Sequence, residues 1–478
     1  MLKPVCSLNC RYLYRLSLLK FSSHISEASI DESFEALVRH VDSAQTLRAP
    51  STSHEVMVLH PKIRWGASSP SALKNPSNQL DEAISLVNTL PGFRVVHSEI
   101  IGVDYNTKRK SVWGTGTIEY LLRRKQDIRA SAIMLNIDML SAMQQVELSD
   151  IFKVPIYDRY NIVLSIFKHY AKTEESKLQI QLAEIPYMRH RLHFMNKWAA
   201  KGSVLHVQEV EQFRGIDRFE VLRLREQSIK KKLREINEEE DREVKKKSSD
   251  AGLVAIVGYT NAGKTSLVKL LTGSSSLNPK DRLFATLDTT RHIALLPSGR
   301  KVAFADTIGF LSDLPTHLIA AFEATLSHVK EADVIIHLRD TSNPAWQSQS
   351  EDVLNTLTSL GVSDEKLKNM ITVDNKVDKE DFAPQEHSHK ISCASGLGIE
   401  PLIQSIDSSI LSALGVRIRH FKLKPSSNLI PYLYNEGFVS QEPRVDGQLL
   451  VFEVAMTDAE MSRMQKQLGS SLKQNKIK

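Results

Sequence analysis

Eight residues constrain this chain more than any others. Gly258-Tyr259-Thr260-Asn261-Ala262-Gly263-Lys264-Thr265 has the form G-x-x-x-x-G-K-[ST] and follows directly on the apolar, strand-like run Gly252 to Val257. A helical run, Ser266 to Leu271, comes next. Gly258 and Gly263 let the backbone turn so that successive N–H groups point inward, and the helix N-terminus adds partial positive charge. Such a turn is a phosphate cradle, built from Tyr259, Thr260, Asn261 and Ala262 between the glycines and closed by Ser266. Lys264 is expected to reach the β- and γ-phosphates of a nucleotide, and the Thr265 hydroxyl to ligate Mg²⁺. Strand, cradle and helix in this order predict an α/β domain with a mostly parallel sheet.

A second phosphate element follows the strand-like Lys301 to Ala305. In Asp306-Thr307-Ile308-Gly309 the acid is placed to hold Mg²⁺ through a water, and the Gly309 amide to donate to the γ-phosphate. Between the two elements stands Phe284-Ala285-Thr286-Leu287-Asp288-Thr289-Thr290. Thr286 is the candidate second metal ligand; Thr289 and Thr290 compete with it, and spacing does not choose. The catalytic set expected is thus Lys264, Thr265, Thr286, Asp306 and Gly309, with Thr265 and Thr286 on the metal.

The base is read further along. After the strand-like Ile371 to Asp374 comes Asn375-Lys376-Val377-Asp378. A carboxylate at Asp378 accepts from N1–H and the 2-amino group of guanine, whereas adenine has neither and would face it with a lone pair. Asn375 and Lys376 are expected to brace this loop against the phosphate loop. In Ser392-Cys393-Ala394 a backbone N–H is placed to read guanine O6, and Cys393 is a packing residue. GTP is the nucleotide these elements predict. The residue after Gly309, where a Ras-like enzyme carries a water-orienting glutamine, is Phe310. Slow intrinsic hydrolysis follows, with a partner or another residue completing the site, or else a GTP-regulated binding module that scarcely turns over. Asn261 offers a seat for a monovalent cation beside the phosphates, with K⁺ the candidate.

The remaining chain is organised around this domain. A length of 478 residues calls for two to four units, and 41% apolar with 25% charged residues is a soluble composition. No apolar run is long enough to span a bilayer. Three cysteines, two of them Cys6 and Cys10, exclude a disulfide scaffold. Residues 1–26 carry Lys3, Arg11, Arg15 and Lys20 and no acid, which suits a mitochondrial transit peptide; 27–53 is a spacer. Strand-like and helical runs alternate from His54, predicting a small α/β domain over 54–205. Residues 206–249 are a charged helical segment: from Glu220 to Ser248 there are ten Lys/Arg and eight Asp/Glu. Leu222, Ile229, Leu233 and Ile236 form one apolar stripe along it. The GTP-binding domain is expected over 250–415 and a small α+β domain over 416–478.

These residues resemble the HflX family of translation-factor-class GTPases. The likeness lies in the phosphate loop, in Leu283-Phe284-Ala285-Thr286-Leu287-Asp288, and in Asp306 to Pro315 with its apolar residue after Gly309. Outside that domain it extends to Asp158 to Phe167, Lys177 to Ala183 and Gly114-Thr115-Gly116-Thr117. It covers residues 54 to about 470. Where the family carries a glycine-rich stretch before its charged helices, this chain has Val207 to Gly215 with a single glycine. With the basic leader, the resemblance implies a mitochondrial matrix member that binds the ribosome, chiefly the large subunit and its rRNA, without oligomerising. It implies subunit splitting and recycling, or alternatively large-subunit assembly and quality control, or a GTP-gated binding protein with negligible turnover. Bases Arg223, Arg225, Lys230, Lys231, Lys232 and Arg234 would then approach rRNA.

Overall fold

A computed structural model describes residues 31–38, 53–63, 75–103, 112–199, 218–247, 252–274, 282–286, 290–312, 318, 328–379, 387–435, 438–439 and 442–468. The basic leader, residues 206–217 and Thr289 lie outside them. The described residues fall in two compact units, one within 1–66, 91–164 and 177–238, the other within 67–90, 165–176 and 239–478.

The first unit is built on a four-stranded parallel sheet ordered β2-β1-β3-β4, from β1 (His54–Ile63), β2 (Phe93–Val103), β3 (Ala132–Leu135) and β4 (Ile156–Asp158). Val56 to Leu59 and all of β3 are buried, as expected of parallel strands covered on both faces. The long helix Arg218–Lys247 belongs here as far as Glu238. Its apolar stripe is not a solvated face: Leu222, Ile229 and Leu233 are buried with Ile236 partly so, against Phe34, Leu37, Ile185 and Leu192. On its polar face Arg223 pairs with Glu220 and Lys230 with Glu226. Arg225, which the sequence reading gave to rRNA, is turned inward. It is 6% exposed and bonded to Asp31 and Gln181.

The second unit contains a six-stranded sheet, ordered β10-β9-β8-β5-β7-β6. Its strands are β5 (Gly252–Gly258), β6 (Thr290–Leu295), β7 (Lys301–Asp306), β8 (Val334–Asp340), β9 (Ile371–Asn375) and β10 (His389–Lys390). Only β6 runs antiparallel. The central strands are near-continuous apolar runs because both faces are covered: Val254, Ile256, Phe304, Ile336 and Val373 share one core with Leu402, Ile406 and Ile410 of the helix Ile399–Ala413. Ile256 sits beside Asp306, Gly258 beside Leu338, and Asp340 beside Asn375. The carboxyl ends of four strands therefore meet at one edge, where ligands of open α/β sheets bind. A three-stranded antiparallel sheet, β11 (Arg417–Leu423), β13 (Leu449–Met456) and β12 (Arg444–Asp446), follows with the helix Asp458–Leu468. Arg300, in the β6–β7 turn, meets Glu460 of that helix through two bonds of 2.6 and 2.7 Å and also donates to the Ala455 carbonyl at 2.9 Å. Both side chains are buried, so the pair is held by its bidentate geometry rather than by charge alone.

Candidate functional site

At the carboxyl edge of the six-stranded sheet a cavity of about 420 Å³ is lined by residues of the phosphate loop, by Arg282, Phe284, Ala285 and Thr286, by Gly309, and by Asn375, Lys376, Asp378, Cys393 and Ala394. Its size is that of a small-molecule site. The loop after β5 turns through two positive φ angles, 62° at Asn261 and 101° at Gly263. A side chain at Gly263 is excluded twice over, because a Cβ there would stand 2.4 Å from Asn375 Nδ2. The helix Lys264–Thr272 starts at Gly263 with no side-chain cap, which leaves its first amides facing the loop.

Lys264 is 7% exposed, and its Nζ donates to the carbonyls of Gly258 at 3.2 Å and Tyr259 at 2.9 Å. Burial pushes its ammonium down to about 8, against the opposing pull of Asp306. A polyanion seated here would raise it again. Gly309 lies directly over this amine: a Cβ there would come within 3.0 Å of Lys264 Nζ and 2.8 Å of Thr260 Cγ2. The Gly309 backbone and the lysine thus share one spot, the one a terminal phosphate would occupy.

Of the competing threonines the structure brings Thr286 to the site. Its Oγ1 is 2.6 Å from Thr265 Oγ1 and donates to Asp306 Oδ2 at 3.0 Å. Thr290 instead opens β6, with its hydroxyl 3.0 Å from His292 Nε2. Asp306 is fully buried, its carboxyl pushed up by desolvation, and its Oδ1 meets no hydrogen-bond partner. Two hydroxyls and a desolvated carboxylate form an all-oxygen donor set that fits Mg²⁺, a cation that completes its shell with water and nucleotide phosphate oxygens. Thr265 and Thr286 would hold it directly and Asp306 through water; bound there, it draws charge from the phosphate oxygens. Thr307 turns the other way, its hydroxyl donating to the Ile256 carbonyl at 2.7 Å, and Ile308 is buried.

The base end is braced as its composition suggests. Asn375 Nδ2 donates to the Ala262 carbonyl at 2.8 Å, and Lys376 Nζ to the Asn261 carbonyl at 2.9 Å. Lys376 also pairs with Asp340 at 2.7 Å, a contact the sequence reading missed although an acid at the end of β8 is a signal of the same kind as Asp306. The Ser392 hydroxyl holds the exposed Asp378 carboxyl below its ordinary range, so it is a carboxylate ready to accept. Val377 contributes backbone, its N–H donating to the Ile391 carbonyl at 3.3 Å. Among the three candidate amides for guanine O6, that of Ser392 donates to the Leu397 carbonyl and that of Cys393 to Asn375 Oδ1. Ala394 is the candidate that remains. Burial pushes the Cys393 thiol up to about 12, in keeping with a packing role.

Two residues do more than the sequence suggested. Tyr259, counted among the nucleotide contacts, offers the site its backbone only. Its hydroxyl accepts from the Ser312 amide at 2.7 Å, and Ser312 Oγ donates on to Asp352 at 2.7 Å. Phe310 is 1% exposed and forms a parallel bridge with Tyr259, so its ring packs inside the protein and lines no part of the cavity.

Residues 253–376 match a family model described as a 50S ribosome-binding GTPase, and 77–168 match one described as a GTP-binding GTPase N-terminal domain. The chain is 34% identical over 421 residues to GTP-binding protein 6 of Xenopus laevis, covering 86% of this chain and 78% of that one. It is 33% identical over 410 residues to GTPase HflX of Lacrimispora saccharolytica, covering 83% of this chain and 91% of the relative. A GTP-binding protein of Arabidopsis thaliana, named as chloroplastic, is 31% identical over 420 residues, 76% of this chain and 67% of its own. With the phosphate loop, the all-oxygen cluster and the Asp378 carboxylate assembled at one sheet edge, these likenesses settle the family. The chain belongs to the HflX GTPases and hydrolyses GTP to GDP and phosphate.

Proposed function

We propose that this protein is a GTP-dependent ribosome-binding factor of the mitochondrial matrix, acting on the large subunit to split and recycle ribosomes. The reading is carried by the match of 253–376 to a model described for 50S-binding GTPases. The burial of Phe310 supports it, since a switch with no water-orienting side chain there turns over slowly until a partner completes it. The acid-free basic leader and the organelle-named plant relative support an organellar address. Among the described residues no helix is long and apolar enough to cross a membrane. Lys264, Thr265, Thr286, Asp306 and Gly309 carry the chemistry with Mg²⁺. Asn261, at positive φ within the phosphate loop, seats K⁺, and equal turnover in Na⁺ and K⁺ buffers overturns that assignment.

The deciding experiment incubates the protein with mitochondrial ribosomes and GTP or a non-hydrolysable analogue and resolves the particles on a gradient. Dissociation of monosomes with the analogue is the expected result. Intact monosomes with protein on free large subunits would replace splitting by assembly or quality control. No ribosomal particle raising GTP turnover would remove the partner-stimulated mechanism.

A further inference from the structure

Arg282 lines the same cavity as Lys264, Thr265, Thr286 and Gly309, yet none of the motifs gives it a role. It stands four residues before Thr286, on the segment whose threonine reaches Thr265 and Asp306. Its guanidinium carbon lies 3.5 Å from the centroid of the Tyr170 ring. Two residues on, Phe284 packs edge-to-face on Phe167 with centroids 4.7 Å apart. Tyr170 and Phe167 are three residues apart in the helix Arg159–Tyr170 and so share one face of it. The Tyr170 hydroxyl donates to the Thr89 carbonyl at 3.0 Å, which fixes the ring. The segment carrying Arg282 is therefore gripped at two points, and the guanidinium is placed rather than free.

Its Nε–H is buried and meets no acceptor among the described residues. A buried donor on a permanent cation is costly unless something supplies the missing acceptor. Arg282 lines the cavity, and the acceptor its guanidinium can meet there is a phosphate oxygen of the nucleotide. Contact with a ring face leaves the in-plane N–H edge for hydrogen bonding, and the planar fork matches phosphate geometry in a way that an ammonium does not. Phe310 contributes nothing at this point, and Lys264 already divides its donors among two carbonyls.

We propose that Arg282 is a catalytic arginine acting in cis, with Tyr170 as its positioning residue. In hydrolysis the oxygen of water bonds to the γ-phosphorus, and the bridging oxygen leaves with the electron pair on the β-phosphate. The protons of water pass to phosphate oxygens and solvent. Negative charge grows on the bridge and the γ-oxygens as this happens, and Arg282 donates to it there. A contact to ribose or α-phosphate would serve GDP and GTP alike, whereas this one acts in the transition state. The proposal concerns the chain alone and does not depend on which partner stimulates it.

The test is single-turnover hydrolysis with the full chain in excess over labelled GTP, alongside binding of fluorescent GDP with and without aluminium fluoride. Arg282→Ala is expected to slow hydrolysis by about 100-fold or more and to abolish the aluminium fluoride response, with GDP affinity within about threefold of wild type. Arg282→Lys keeps stem and charge and is expected to remain at least about tenfold slow, because the fork is lost. Tyr170→Leu should lower kcat without changing KM, and Tyr170→Phe should restore the rate that leucine loses. Hydrolysis by Arg282→Ala less than about tenfold below wild type, full recovery with lysine, or an equal loss of GDP and GTP affinity overturns the assignment.

Discussion

The amide of Phe310 donates to the carbonyl of Gly258 at 3.1 Å, and the Phe310 carbonyl accepts from the Thr260 amide at 2.7 Å. The loop that follows Asp306 is thereby stitched to the phosphate loop by backbone, in a bridge indifferent to the side chain at 310. A side chain at this position is therefore held in the core and does not reach the cavity. Phe310→Gln would bury a carboxamide where a phenyl ring now packs. Hydrolysis by the isolated chain should change by less than about tenfold, short of the 10²-fold or more that a well-placed catalytic group gives. Stability to urea should fall by about 2–4 kcal/mol. A large gain in GTP turnover would show that the segment rearranges and that the bridge is not its working state.

Thr286 is hydrogen-bonded to Thr265 and Asp306 while sitting on a separate segment, and we propose that its placement distinguishes the GTP from the GDP state. Thr286→Ala should weaken Mg²⁺-dependent binding of a non-hydrolysable GTP analogue by on the order of tenfold, about 1.4 kcal/mol. GDP affinity should be unchanged. Titrating both fluorescent nucleotides at fixed Mg²⁺ gives the comparison, and an equal loss for both would place the threonine outside the γ-phosphate response.

Much of this site was legible because the chemistry leaves few alternatives. A glycine-rich turn after a strand, an acid at the end of β7 and a carboxylate three residues past Asn375 are each tied to a nucleotide group by valence and charge. Choosing Thr286 over Thr290 was not legible. Both lie in one polar run, and only the chain path decides which hydroxyl returns to Thr265. Arg282 was missed for a related reason. A lone arginine in a polar segment carries no spacing signal, and its meaning comes from Tyr170, over a hundred residues earlier in the chain. The apolar stripe of the charged helix was visible in its periodicity. The inward turn of Arg225 was not, because it depends on Asp31 and Gln181 from distant segments.

We propose that guanine selection rests on Asp378, a carboxylate that is exposed, accepts from Ser392 and stays charged at neutral pH. Asp378→Asn replaces one acceptor by a donor, which now opposes the 2-amino group of guanine but matches the 2-oxo group of xanthine. GTP affinity should fall by about a hundredfold or more, and XTP should bind in its place. Competition of both nucleotides against a fluorescent probe reads the exchange, and unchanged GTP affinity would mean that the base is recognised elsewhere.

Acid sensitivity of the GTP-binding domain should come in part from His337, on the central strand β8. It is 3% exposed, and burial, with some repulsion from Arg339, pushes its imidazolium down to about 3. In the unfolded chain the same group takes its proton near pH 6.5. Above that value both states are neutral and the histidine has no effect. As pH falls below it the unfolded chain binds a proton that the folded chain refuses, so stability drops by about 1.4 kcal/mol per pH unit until the folded value is reached. Between pH 6.5 and 4.5 the loss from this group is thus on the order of 2–3 kcal/mol. Carboxylates shift in the same range, so the informative quantity is a difference. Urea unfolding of wild type and His337→Gln at pH 7.5, 6 and 5 should give curves that converge as pH falls, because the variant lacks one titrating group. Parallel curves would mean that the imidazole is protonated in the folded sheet after all, with a partner that keeps its charge.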